Sequence, residues 1–116
     1  MESETYHQKL RREMDEYVHF VYRLTMKFPR EELYGVTSQL RRSALSVIQN
    51  YIEGYARKRD KVHKNFLEIS YSSLQESKYL LDFSFEEHYL QKEDYEKAIK
   101  LAESIGRMLW GVIRKL

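Results

Sequence analysis

Residues 57 to 64 read RKRDKVHK and carry five basic side chains and one acid, a net charge of +4. Lysine and arginine side chains bind phosphate oxygens, and each such contact releases counterions from a nucleic acid. Tyr55, just upstream, could stack on an exposed base. The run predicts a nucleic-acid contact, and the alternative is a solvated, charged loop. An upstream arginine pair either extends the patch or pairs with acids on neighbouring helices. The candidate nucleic-acid-binding residues are Arg41, Arg42, Arg57, Lys58, Arg59, Lys61 and Lys64.

A second pattern that could carry chemistry is Glu16-x-x-His19, which places a carboxylate and an imidazole on one helix face. A di-metal site in a four-helix bundle needs two such motifs plus a carboxylate from each remaining helix. Only one full copy is present, because Asp60-x-x-His63 falls at a helix start inside the basic run. Glu53 is the one acid expected in the middle of the core. The sequence therefore predicts no metal site.

Sequence motifs of catalysis are also missing. The chain contains no G-x-S-x-G elbow, no G-x-x-x-x-G-K-[ST] loop and no G-x-G-x-x-G loop. Its four histidines are scattered, about one for each helix or loop. We therefore predict a protein that is not an enzyme and that uses no cofactor.

Three polar residues are notable in the helical stretch between residues 38 and 58, where apolar residues recur every three or four positions. Asn50 and Glu53 are three positions apart and Arg57 follows four later, so all three can share one helix face. One interpretation is a polar network at a subunit interface or helix crossing, in which Glu53 meets Arg41, Arg42 or Arg57. Gly54 would permit the close approach. The alternative is a solvent-facing Glu–Arg pair, worth about 0.3 to 0.5 kcal/mol.

The elements that must position these residues are four amphipathic helices. Helix one carries a heptad stripe, and Pro29 is expected to end it because the residue before proline is steered out of the helical region. Helix two runs to between Gly54 and Lys58, and Asp60 is a candidate N-cap for helix three. Residues 83 to 91 are expected to connect helices three and four. The stripe of helix one is Tyr6, Leu10, Met14, Tyr17, Val21, Leu24 and Phe28.

Helices two to four carry comparable stripes. Large and small residues alternate along helix three, so its serines would let a neighbouring helix approach closely if each hydroxyl finds a partner. The stripes are Leu40, Ala44, Val47, Tyr51 and Tyr55 in helix two, Leu67, Ser70, Leu74, Ser77 and Leu81 in helix three, and Tyr95, Ala98, Ala102, Ile105, Leu109, Val112 and Leu116 in helix four. Short loops between such helices predict an all-α, antiparallel up-and-down four-helix bundle, with residues 1–116 as a single domain.

Composition and charge narrow the class of protein further. The chain has 116 residues and a net charge of +2. It contains no cysteine, which excludes disulfides and thiolate metal sites and fits a reducing cytoplasm. The N-terminal residues are charged, unlike a signal peptide, and no apolar run reaches the ~20 residues of a membrane span. Residues 82 to 96 carry six acids and one lysine, so acidic and basic segments are well separated in the sequence.

Several separated blocks resemble the bacterial family named for the 23S rRNA intervening-sequence protein. The likeness covers roughly residues 14 to 116 and includes SSLQE in helix three and IGRMLWGVIRKL at the end of helix four. This chain has Ile48 where the family usually has proline and Ile52 where it usually has alanine, so helix two should run without a kink. The positions of the main block that match are Phe28, Pro29, Glu32, Tyr34, Gly35, Thr37, Ser38, Gln39, Arg41, Arg42, Ala44, Ser46, Val47, Asn50, Glu53, Gly54 and Arg57.

The resemblance implies a four-helix bundle that forms ring-shaped homopentamers and has no known catalytic activity. It implies RNA or DNA as a partner, and an RNA- or nucleoprotein-associated adaptor as the function. A related branch partners a reverse transcriptase in diversity-generating retroelements, which makes a protein-interaction scaffold the alternative. The residues expected at the oligomer interface, or in a structural polar network, are Asn50, Glu53 and Gly54.

Overall fold

Four long helices and one short turn of 3-10 helix make up the structure, a computed structural model that describes residues 3–57 and 60–116, with Asp60 described by its backbone alone. The helices are α1 (Tyr6–Thr25), α2 (Val36–Ala56), α3 (Asp60–Glu86) and α4 (Lys92–Ile113), and the 3-10 turn spans Arg30–Glu32. None of the described residues lies in a β-strand. The predicted all-α class and the four-helix bundle are confirmed.

Hydrogen bonds between helices show how the chain runs up and down. Residues near the start of one helix bond residues near the end of its neighbour, and residues farther along one helix bond residues earlier in the other. Neighbouring helices therefore run antiparallel. The bonds are Tyr6 to the Met108 carbonyl at 2.7 Å, Ser104 to Glu13 at 2.5 Å, Arg41 to Thr25 at 2.7 Å, Ser46 with Ser73 at 2.8 Å, Ser70 to the Val47 carbonyl at 2.6 Å and Tyr95 to Asp82 at 2.5 Å.

The core follows the predicted stripes most closely in α3. All five seam residues from Leu67 to Leu81 have no exposed surface. The small members are satisfied as required, since Ser70 donates to the Val47 carbonyl at 2.6 Å and Ser77 shares a 2.7 Å hydrogen bond with Tyr17. The small side chains of α3 thus allow close approach of α2 at Ser70 and of α1 at Ser77, and both of these buried hydroxyls are paired.

Gly54 contributes to the same close approach. A Cβ atom at this position would lie 3.2 Å from the Phe66 Cβ and 3.4 Å from the His63 carbonyl oxygen. Gly54 is buried against α3 of its own chain. The close approach that this glycine permits is therefore between two helices of the same subunit.

The helix ends depart from the sequence-based boundaries. α1 stops at Thr25, before Pro29, because Phe28 turns into the core and packs on Tyr89 with ring centroids 5.5 Å apart. α3 continues to Glu86, so the predicted connection from residue 83 begins too early. The buried Ser84, whose hydroxyl donates to the Leu80 carbonyl at 2.7 Å, extends the α3 seam by one more step.

Two further boundaries differ at α3 and α4. α3 begins at Asp60 itself, so the capping position one residue earlier lies outside the described residues. In α4 the last core position is Ile113, which is 4% exposed, whereas Leu116 is 44% exposed. An α-helix drifts by about 20° per heptad against a strict 3.5-residue repeat, which moves the buried position from Val112 to Ile113.

Candidate nucleic-acid interface

Basic residues outnumber acids at one end of the bundle, whereas the other end holds both in similar numbers. The antiparallel order brings the start of α1, the end of α2, the start of α3 and the end of α4 together, and we call this the basic end. The other end holds the α1–α2 and α3–α4 connections. Described basic residues of the basic end are Lys9, Arg11, Arg12, Arg57, Lys61, Lys64, Arg107, Arg114 and Lys115, beside the acids Glu4, Glu13 and Glu53. The other end holds the acids Glu31, Glu32, Asp82, Glu86, Glu87, Glu93, Asp94 and Glu96, beside the basic residues Arg23, Lys27, Arg30, Arg41, Arg42, Lys92 and Lys97.

The predicted phosphate-binding run lies at the basic end. Arg57 directly follows α2, where its guanidinium pairs with Glu53 at 2.8 Å and lies 5.9 Å from the Phe66 ring centroid. Lys61 is exposed and Lys64 half-buried on the first turns of α3. Lys58 and Arg59 lie outside the described residues. Of the described part of the run, Arg57 therefore follows α2 directly and residues 60–64 form the first turns of α3.

Arg41 and Arg42 lie far from this run. They precede Arg57 by fifteen or sixteen helical positions, roughly 22 to 24 Å along α2. Arg41 donates to the Thr25 hydroxyl at 2.7 Å and lies 4.9 Å from the ring centroid of Tyr22. Arg42 donates to the Ser38 hydroxyl at 3.3 Å. The structure joins neither arginine to the basic end, and neither pairs with a carboxylate within residues 3–57 and 60–116.

The polar residues of α2 form two separate groups. The Asn50 amide donates to the Ser46 carbonyl at 2.9 Å and to its hydroxyl at 2.8 Å, and Ser46 in turn bonds Ser73 of α3. Glu53 pairs with Arg57, one of the three arginines expected for it, and both side chains are about half exposed. A continuous network from Asn50 to Arg57 is not formed.

A cavity of about 660 Å³ opens at the basic end. No aspartate or glutamate side chain of the described residues lines it. Its walls combine aromatic rings from α1, α2 and α3 with cations from the end of α4 and the residues directly after it, so it is suited to an anionic ligand with a flat apolar part. The lining residues are Tyr6, His7, Tyr55, His63, Arg107, Gly111, Val112, Arg114, Lys115 and Leu116.

The rings of this cavity contact one another in sequence. The centroid of His7 lies 6.0 Å from that of Tyr6 and 4.7 Å from that of Tyr55, and His63 lies 5.0 Å from Tyr55 on the other side. His7 Nδ1 bonds the Tyr51 hydroxyl at 3.0 Å, and the Tyr55 hydroxyl is 2.8 Å from His7 Nε2. Burial raises the pKa of Tyr51 well above its usual value, so this hydroxyl keeps its proton.

Sequence reasoning identified Tyr55 but missed the other parts of this cavity. His7 was treated as one of four scattered histidines, and the cations of α4 were not considered as a group. These residues are separated by up to about a hundred positions and meet only through the antiparallel order of the helices. The basic residues Arg107 and Arg114, seven positions apart, were the one available signal, since they share a face of α4.

A second concave surface lies between α1 and α2. This groove has a volume of about 880 Å³ and is largely apolar, with Val18 and Tyr22 on one side and Leu45, Ile48 and Ile52 on the other. Ile48 is 8% exposed and Ile52 is 40% exposed. α2 runs unbroken past both positions, as expected for a helix that lacks the usual proline.

The Glu16-x-x-His19 motif does not assemble a metal site. Glu16 pairs with Arg12 at 2.8 Å and His19 faces Asp15 at 3.5 Å, all of them on the outer surface of α1. No three histidine, aspartate or glutamate side chains converge anywhere in the described part of the chain.

The acid buried in the core is Glu13 rather than Glu53. Glu13 is 8% exposed and accepts a 2.5 Å hydrogen bond from Ser104 of α4, with Lys9 Nζ at 4.0 Å. It therefore ties α1 to α4, whereas Glu53 lies on the surface of α2.

The fold and this end of the molecule define a four-helix-bundle protein with a cationic, aromatic face. The chain belongs to the 23S rRNA-intervening sequence protein family, which matches residues 7–111. A similar solved structure, of a protein of unknown function from the S23 ribosomal protein family of Bacteroides thetaiotaomicron, superimposes with a TM-score of 0.81. It is 20% identical and the alignment covers 90% of this chain and 97% of the other, which is a likeness of fold. No curated protein matches the sequence. Among the described helices, none is both long and apolar enough to cross a membrane.

Proposed function

We propose that the protein is a non-catalytic, self-associating helical bundle that acts as an RNA- or nucleoprotein-associated adaptor. The observation that carries this proposal is that the antiparallel fold gathers basic residues from four helices at one end, where they outnumber the acids. A cluster of cations binds phosphates through counterion release, and this contribution does not depend on RNA sequence. The basic end, rather than the region of Arg41 and Arg42, is the proposed contact surface.

Self-association supports the same function. The groove between α1 and α2 exposes apolar surface next to polar residues, an arrangement typical of protein contacts. We propose that copies of the chain meet there as a ring, with a pentamer favoured by the family resemblance. A ring would present several basic ends at once, and the RNA contacts would then reinforce one another by avidity.

The RNA contact predicts a salt-dependent mobility shift of an RNA transcript. Replacing Lys61, Lys64 and Arg114 with glutamine removes three cations of the basic end. We expect this triple variant to bind about tenfold more weakly, and the slope of log affinity against log salt to fall by up to about 2. The matched control replaces Lys92, Lys97 and Lys100, three exposed lysines of α4 farther from the basic end. Equal losses in both variants, or no shift of the wild-type protein at low salt, would contradict the proposal.

Self-association predicts a mass well above the 14.2 kDa of one chain. Ile52→Glu places a charge in the α1–α2 groove, where its desolvation opposes contact between copies. We expect this variant to shift toward the monomer on size exclusion with light scattering. Ile69→Glu is the matched control, because Ile69 is 48% exposed on α3. Glu53→Ala tests the neighbouring polar pair in the same assay. A wild-type protein that elutes as a single chain would refute the ring.

A protein-interaction scaffold is the second candidate. It is favoured by exposed apolar side chains at the end of the bundle opposite the basic end, where Met26 is 77% exposed, Leu33 45% and Tyr34 93%. Such surfaces are common where another protein docks. This function, which includes a partnership with a reverse transcriptase, predicts a protein that co-purifies after nuclease treatment and no mobility shift with RNA.

A further inference from the structure

We propose that the cavity at the basic end binds one unpaired nucleotide of a single-stranded RNA, with the base against Tyr55 and the phosphate at the α4 cations. The inference rests on the proposed RNA-associated function and assigns it a ligand and a site. The cavity would recognise an unpaired base, whereas the charge of the basic end alone would bind only phosphates.

The dimensions and chemistry of the cavity fit a nucleotide. Its volume of about 660 Å³ lies within the range of small-molecule sites and leaves room for a base and its sugar phosphate. Val112 and Leu116 add apolar surface beside the rings, on which a base can stack. Arg107, Arg114 and Lys115 form no ion pairs within the described residues, so all three are available to phosphate oxygens.

The aromatic walls are held in place before any ligand binds. The Tyr6 hydroxyl donates to the Met108 carbonyl of α4 at 2.7 Å, and the Tyr55 hydroxyl is held by His7. Tyr6 is 50% exposed and Tyr55 38% exposed, so each ring keeps accessible surface despite these bonds. Fixed rings lose little conformational freedom when a base stacks on them, which favours binding.

Gly111 leaves room for the hydrogen bond between Tyr6 and α4. A Cβ atom on Gly111 would lie 3.0 Å from the Tyr6 hydroxyl oxygen, closer than an ordinary contact. Glycine is a weaker helix former than alanine, yet here it gives Tyr6 the space to reach the α4 backbone. Gly111 is half-buried and lines the cavity, so the space that it leaves for Tyr6 lies in the cavity wall.

The test compares a labelled single-stranded RNA with a blunt duplex of the same length by fluorescence anisotropy. We expect Tyr55→Leu to weaken binding of the single strand about tenfold, the effect of losing one stacked base, and to leave duplex binding within twofold. Tyr79→Leu is the matched control, since Tyr79 is an exposed ring in the other half of α3. Circular dichroism melting shows whether each variant is folded.

Where Tyr55→Leu is unfolded, Tyr6→Leu takes its place, because it removes a second exposed ring of the cavity without changing its charge, and the same selective loss is expected. The proposal is overturned if the variants lose affinity for both RNAs equally or keep full affinity for the single strand; the proposed RNA association then still stands. A wild-type protein that binds neither RNA at low salt overturns both. The two failures are therefore distinguishable in one experiment.

Discussion

Replacing Leu74 with alanine is expected to lower the free energy of unfolding by about 3 kcal/mol, within the usual range for a buried leucine. Leu74 has no exposed surface, and its Cδ2 atom would lie 3.5 Å from a Cβ placed on Gly106 of α4. The truncated side chain would leave a cavity between α3 and α4 that two rigid helices cannot close. A domain of this size has about 5 to 15 kcal/mol in total, so the loss is large.

Thermal or urea denaturation followed by circular dichroism measures this loss. Leu33→Ala is the control, because Leu33 is 45% exposed beside the 3-10 turn and should cost well under 1 kcal/mol. A loss of similar size in the two variants would show that Leu74 does not fill the space between α3 and α4.

Ser70→Leu is expected to lower the free energy of unfolding by a similar amount, because it adds side-chain volume to the core instead of removing it. Ser70 has no exposed surface and its hydroxyl lies 2.6 Å from the Val47 carbonyl oxygen, so α2 and α3 are too close there for a leucine side chain. Overpacking of a dense core typically costs about 1 to 3 kcal/mol, and the lost hydrogen bond adds to it. A more hydrophobic residue in the core would thus destabilise the protein.

Ser72→Leu provides the matched comparison, since Ser72 is exposed two positions later on the same helix. It should change the unfolding free energy by no more than about 0.5 kcal/mol. Equal stability of Ser70→Leu and the wild-type protein would mean that α2 and α3 are not in close contact at Ser70.

The helices and their buried faces could be predicted because their signals are local. The alternation of leucine and serine from Leu67 to Leu81 is a pattern of one helix, and every member of it is buried. The ends of the helices were predicted less well. α1 ends before Phe28, which packs against Tyr89, a residue sixty-one positions away that no local pattern connects to it.

The candidate site was predictable only where it is contiguous in the sequence. The run from Arg57 to Lys64 is one segment, so its charge could be recognised, but it forms only part of the basic end. The residues from α1 and α4 join it through tertiary structure. The separation of Arg41 from Arg57 was within reach of sequence reasoning, because sixteen helical residues span roughly 24 Å.

Buried polar residues show a second limit of the sequence. Glu13 and Glu53 are both acids within amphipathic helices, yet Glu13 is in the core and Glu53 is on the surface. The difference depends on Ser104, which donates to Glu13 from α4. A partner ninety-one positions away decides the burial, and one sequence does not disclose it.

The excess of positive charge at the basic end also affects how the protein approaches a large polyanion. Because this excess lies at one end of a body 43 Å long, attraction to the polyanion would turn that end forward before any contact forms. The Debye length is about 10 Å at 0.1 M salt and 30 Å at 0.01 M, so this orientation acts only in dilute electrolyte. Added salt should then slow the encounter rate more than it hastens the escape of a complex already formed.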